Sequence, residues 1–152
     1  MKIIIVSGGF DPLHSGHISY FKDAKSMGDK LIVALNSDQW LINKKGKAFM
    51  PIEERRLIID NLLCVDEVIE FADDEHGSAT NAIKFVKEKY PNDEIYFANG
   101  GDRGKSNTPE MDRFGNDPRV EMEFGVGGTD KKNSSSWLLH NYFERQRKIV
   151  GI

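Results

Sequence analysis

The sequence lacks most of what would make a protein extracellular, membrane-spanning or a coat for nucleic acid. It holds one cysteine, Cys64, among 152 residues, so no internal disulfide can form and a reducing compartment is expected. Cys64 lies in the apolar pattern Leu62-Leu63-Cys64-Val65, which suits a core residue better than a nucleophile. No apolar run approaches the roughly 18 residues needed to cross a bilayer. The chain enters a strand directly after Met1 and Lys2, with no cleavage site, so a cytoplasmic protein without a membrane partner is expected. Neither charge sign dominates, since 21 Lys and Arg stand against 24 Asp and Glu for a formal net charge of -3. That balance argues against a nucleic-acid partner and leaves basic groups to act locally on a small anion. Repeats, low-complexity tracts and linkers are also missing. With 39% hydrophobic and 30% charged residues, residues 1–152 read as a single domain around one core.

What is present begins with Lys2 to Val6, an apolar β-branched run suited to a buried parallel strand. Gly8, Gly9, Asp11 and Pro12 then force a turn before an amphipathic run starts near Ser15. Such a strand, loop and helix aim backbone N–H groups and the positive end of a helix dipole at one spot, which suits phosphate oxygens. His14 and His17 are three residues apart, so one helical turn brings both imidazoles to the same side of that spot. Gly8, Gly9 and Gly16 carry no Cβ and leave the backbone open to close approach by a phosphate. A plainer reading is also available, in which the glycines only turn the chain and the histidines only cap the helix. In this context the phosphate reading is preferred. A metal site on Asp11, His14 and His17 is not expected, because no further ligand stands at a fixed spacing from them.

Downstream, strand-like and helix-like periods alternate. Helices are expected over Ser15 to Met27, briefly over Trp40 to Ile42, over Pro51 to Leu63, Ser78 to Tyr90, and from the Ser134-Ser135-Ser136 run to Lys148. Strands are expected at Lys30 to Leu35, Val68 to Phe71, Glu94 to Ala98 and Arg119 to Phe124. Asn43 to Lys47 reads as an exposed loop, and residues 103–118 as a lid or long loop. The pattern predicts an α/β, Rossmann-like, doubly wound parallel five-stranded sheet. In that architecture ligands bind where the strands end. The His14/His17 loop, Gly100-Gly101-Asp102 and the turn before Ser134 should therefore meet on one rim.

The stretch Gly8-Gly9-Phe10-Asp11-Pro12-Leu13-His14-Ser15-Gly16-His17-Ile18 resembles the signature of the cytidylyltransferase-like nucleotidylyltransferases. It is similar both to glycerol-phosphate cytidylyltransferases and to the adenylyltransferase domain that makes nucleotide-activated heptose. Ala34-Leu35-Asn36-Ser37-Asp38, Lys45-Gly46, Arg55 and Val65-Asp66-Glu67-Val68 resemble patterns that follow the signature in those enzymes. The resemblance implies catalytic roles for His14, His17 and Lys45. It implies nucleotide contacts at Gly8, Gly9, Phe10, Gly16, Gly101, Asp102, Ser134, Ser135 and Ser136, and substrate or phosphate contacts at Asp11, Lys44 and Arg55. Read from the residues alone, the lysines at 44, 45 and 47 are equally a solvated loop, Arg55 equally an ion-pair partner, and Gly100-Gly101-Asp102 equally an ordinary turn. Ser134 to Ser136 carries both meanings, because a serine N-cap also offers hydroxyls and amides to an anion. Asp130-Lys131-Lys132-Asn133 departs from the family's arginine-containing element, and Lys131 or Lys132 is expected to supply the missing charge.

The implied activity is transfer of CMP (or AMP) from CTP (or ATP) to a phosphorylated sugar, polyol or alcohol, with release of pyrophosphate. Cytidylyl transfer is slightly favoured, although Gly100-Gly101-Asp102 looks closer to the heptose enzyme. Mg²⁺ is expected on the triphosphate with no protein ligands, and a homodimer is expected from the family. The alternative is a catalytically silent nucleotide-binding regulatory module. His76 and His140 are read as structural, and Trp137, Tyr142 and Phe143 as packing or a subunit contact.

Overall fold

A computed structural model describes residues 1–100, 108–127 and 134–150. Gly101, Asp102, Lys131 and Lys132 lie outside the described residues. The strands are β1 (Lys2–Gly8), β2 (Lys30–Leu35), β3 (Glu67–Glu70), β4 (Glu94–Gly100) and β5 (Val120–Val126). The helices are α1 (Ser15–Ser26), α2 (Asp38–Lys45), α3 (Ile52–Asp60), α4 (Thr80–Lys89), α5 (Pro109–Phe114) and α6 (Ser135–Val150). All four strand pairings are parallel, in the order β3-β2-β1-β4-β5.

Alternation along the central strands divides the core in two. Ile3, Ile5, Ile32 and Ala34 face α4, where Ala82, Ile83 and Val86 form the buried stripe. Ile4, Val6, Leu31, Val33 and Leu35 face the other way, onto Phe21 and Ala24 of α1 and Ile59 of α3. Burial on both faces is why these strands read as continuous apolar runs. The winding reverses between β1 and β4, and that reversal opens a crevice at the carboxyl ends of the strands.

Pairing with neighbours extends the strands past where composition ends them. Gly8 pairs with Leu35 and Gly100 with Val126, so both glycines belong to the sheet. In α2, Ser37 Oγ accepts from Trp40 N at 3.0 Å, and the helix runs until Gly46 turns it off with φ +93°. Lys44 and Lys45 are therefore its last turn and not an exposed loop.

The expected long loop at 103–118 needs a second correction in its described part. Residues 109–114 form α5, seated by Phe114 and Glu110, each at most 3% exposed. A six-residue helix is too short to show a period, and one of its two anchors is a carboxylate that accepts from Ala79 N at 2.9 Å. Among the described residues no helix is long and apolar enough to cross a membrane.

Candidate active site

A cleft of about 730 Å³ occupies the crevice. Its walls come from the end of β1, the first turn of α1, α2, residues 76–79, the ends of β4 and β5, and the start of α6. Of the three sequence segments expected to meet there, the His14/His17 loop and Ser134 to Ser136 line it, as does Gly100, the described residue of the third.

The imidazoles of His14 and His17 stack, with centroids 3.7 Å apart and planes 23° from parallel. His14 is the N-cap of α1: its Nδ1 accepts from Gly16 N at 3.1 Å, while His17 Nδ1 accepts from His14 N at 3.2 Å. An accepting Nδ1 puts the proton of a neutral ring on Nε2. Each ring is thereby fixed as an Nε2–H donor. Burial, and then the neighbouring His14 charge, lower the His17 pKa to about 3. His17 is held neutral, its ring edge-on to Phe10 at 4.9 Å. Capping and donating are thus one arrangement.

Across the cleft Ser134 caps α6, its Oγ accepting from Trp137 N at 3.4 Å and its carbonyl from Leu138 N at 3.0 Å. Ser135 Oγ donates to the Pro12 carbonyl at 2.7 Å. That bond ties the amino end of the last helix to the loop carrying the histidines, so two helix N-termini open on the same space.

The family model described as cytidylyltransferase-like matches residues 5–122. The chain belongs to the cytidylyltransferase-like family. It is 35% identical over 112 residues to the Bifunctional protein HldE of Enterobacter sp. (strain 638), covering 66% of this chain and 24% of that protein. It is 39% identical over 108 residues to the Bifunctional protein HldE of Blochmanniella floridana, covering 70% of this chain and 21% of that one. The chain therefore spans about a quarter of the length of these relatives. Among solved structures, the lipopolysaccharide core biosynthesis protein of Thermoplasma volcanium GSS1 is similar at a TM-score of 0.60 and 26% identity, over 82% of this chain and 95% of that one. The bifunctional NMN adenylyltransferase/ADP ribose pyrophosphatase of Francisella tularensis shares the fold at a TM-score of 0.66 and 18% identity, over 94% of this chain and 42% of that one.

In this cytidylyltransferase-like cleft several residues stand differently from their sequence reading. Arg55 is fully buried behind the wall, and it takes the ion-pair reading. Its guanidinium donates to the carbonyls of Gly9, Asn36 and Met50 at 2.8–3.0 Å and to Asp38 Oδ1 at 2.7 Å, so it braces the loop from behind instead of reaching a phosphate. Asp11 also works inward. Its carboxylate, 2.6 Å from both Phe49 N and Met50 N, takes their N–H bonds, and Lys45 Nζ donates to the Asp11 carbonyl at 2.7 Å. Lys45 thus fastens the end of α2 to the histidine loop while lining the cleft, where Lys44 also lies, with its ammonium 4.7 Å from the Trp40 ring centroid. Glycine at position 9 makes room for protein: a Cβ there would sit 2.6 Å from Leu41 Cδ2.

Sequence reasoning missed Tyr20, Trp40, His76, Ser78 and Glu110, all of which line the cleft. His76, read as structural, sits in the segment after β3 that Trp40 Nε1 fastens by donating to the Gly77 carbonyl at 2.9 Å. The rim rule applied to β3 as well as to β1 and β4 would have found it. Trp137, Tyr142 and Phe143 are about half exposed. Among the described residues no three His, Cys, Asp or Glu groups cluster as a metal site.

Proposed function

We propose that this protein transfers CMP or AMP from CTP or ATP to a phosphorylated sugar, polyol or alcohol. The observation that carries the reading is the stacked imidazole pair facing the serine-capped start of α6 across one cleft, the two joined by the Ser135 to Pro12 bond. A triphosphate between them would receive the Nε2–H groups of His14 and His17 on one side and the α6 amides and serine hydroxyls on the other. The acceptor's phosphate oxygen forms a bond to the α-phosphorus as the bond to pyrophosphate breaks, and pyrophosphate leaves with the electron pair. No covalent enzyme intermediate is needed, since the phosphate is already a nucleophile at neutral pH. In-line attack brings the acceptor from the side opposite the leaving group, and Lys44, Trp40 and His76, which line the same cleft, are the side chains proposed to meet it. Mg²⁺ belongs to the substrate in this reading and arrives on the triphosphate. Similarity to a protein named for lipopolysaccharide core biosynthesis supports a phosphorylated sugar among the acceptor classes.

The test is pyrophosphate release from Mg·CTP and Mg·ATP with and without a panel of sugar and polyol phosphates. The reading expects release that requires one acceptor and prefers one base. Nucleotide binding with no release under any acceptor would assign the protein instead to a regulatory module, and acceptor-independent release of nucleotide or orthophosphate to a hydrolase.

A further inference from the structure

One face of α1 presents His17, Tyr20 and Asp23, at the three-residue spacing that stacks side chains turn upon turn. His17 faces the cleft, and the next two reach strand ends. The Tyr20 hydroxyl donates to the Ala98 carbonyl near the end of β4. Asp23 Oδ2 accepts from Gly127 N at 2.7 Å, just past β5. The chain also rides directly on Tyr20 at both places. A Cβ on Gly100 would lie 3.2 Å from the phenol ring, and one on Gly127, whose φ is +83°, 3.0 Å from Tyr20 Cα.

These ties matter because the β4–β5 ladder is irregular there. Ala98 pairs with Glu123 but Gly100 with Val126, so β5 spends one more residue than β4 over the last step. The pairing that reaches these strand ends is irregular, and α1 ties both of them. Tyr20, Ala98, Gly100, Val126 and Gly127 all line the cleft. With the phosphates held at the first turns of α1 and α6, the nucleoside has the rim at β4 and β5 in which to lie.

We infer that Tyr20 and Asp23 are positioning residues that set how tightly, and with what base preference, the nucleoside end of the substrate is held. They act through the ends of β4 and β5 and touch no reacting atom. The inference rests on the nucleotidyl-transfer reading.

The test compares Mg·CTP, Mg·ATP and inorganic tripolyphosphate by calorimetric titration of wild type, Tyr20→Phe, Asp23→Ala and Asp23→Asn. Losing either tie, the neutral one of Tyr20 or the carboxylate one of Asp23, weakens the hold on a strand end by a factor on the order of ten. Tyr20→Phe and Asp23→Ala are expected to weaken the preferred nucleotide by about that factor and to shrink the ratio between the two nucleotides. Tripolyphosphate affinity should stay within about twofold, and Asp23→Asn, which keeps an accepting oxygen, should bind close to wild type. Nucleotide and tripolyphosphate affinities falling together, or neither changing, overturns the inference while leaving the transfer reading standing. A wild-type protein that binds neither nucleotide overturns both. If Tyr20→Phe does not fold, the two substitutions at the exposed Asp23 decide the matter alone.

Discussion

His17 shows how a residue is tuned by its surroundings into one chemical role. Burial holds its pKa near 3, so at neutral pH it is an uncharged donor whose tautomer the His14 amide selects. Replacing it with alanine should lower turnover by about 10²- to 10³-fold, the loss seen for one preorganised donor to a developing charge, with triphosphate affinity changing little. Turnover measured under saturating nucleotide checks this, and near-normal turnover would contradict the role. Burial also sets a pH dependence of stability. The folded pKa lies below the unfolded value of 6.5, so the unfolded chain binds more protons between the two. His17 therefore leaves stability untouched above pH 6.5 and erodes it as pH falls toward 3, by at most about 1.4 kcal/mol per pH unit. Urea titrations at pH 7 and pH 5 should show that loss, and His17→Asn should reduce it. Arg55 belongs to the same scale but to stability. Arg55→Ala leaves three carbonyls and Asp38 without their donor and should cost about 3 kcal/mol or more. Arg55→Lys should recover only part, because one ammonium cannot match a four-bond fork.

At the scale of elements, the start of α6 was legible because its period of 3.6 follows a recognisable serine cap, Ser134. The start of α1 was legible because its period follows the turn at Gly8, Gly9, Asp11 and Pro12, with His14 as its cap only the plainer reading. So were the central strands, whose two-faced burial shows as unbroken Ile, Val and Leu. Other elements were not. Helix α5 is six residues long and anchored by a buried Glu110, a residue that composition assigns to surface. The extended ends of β1, β4 and β5 depend on partners distant in sequence. The inward turn of Asp11 and Arg55 was hidden because a charged residue beside a phosphate motif looks the same whether it meets the ligand or braces the loop. Lys131 and Lys132, just before α6, are proposed to add positive charge at its amino end. Converting both to alanine should raise the apparent KM for nucleoside triphosphate severalfold, and an unchanged KM would reject that part.

At the scale of the whole molecule, a parallel sheet that reverses direction between β1 and β4 gathers on one rim segments spread from Gly8 to Ser136. Alternating patterns in the sequence pointed to this sheet and so to the rim, and most of the site followed from topology once the sheet was in place. Trp40 and His76, which also line the cleft, answer to no motif, and only the rim rule carried on to β3 would have pointed to His76. The central claim is that the imidazole pair and the start of α6 hold one polyphosphate between them. The most direct measurement is a nuclear magnetic resonance titration with Mg²⁺ and a non-hydrolysable α,β-methylene nucleoside triphosphate, following the His14 and His17 ring nitrogens and the Ser134 to Ser136 amides together. The account predicts that both sets move along one binding curve with a single Kd. Movement of only one set, or two curves with separate affinities, would contradict it.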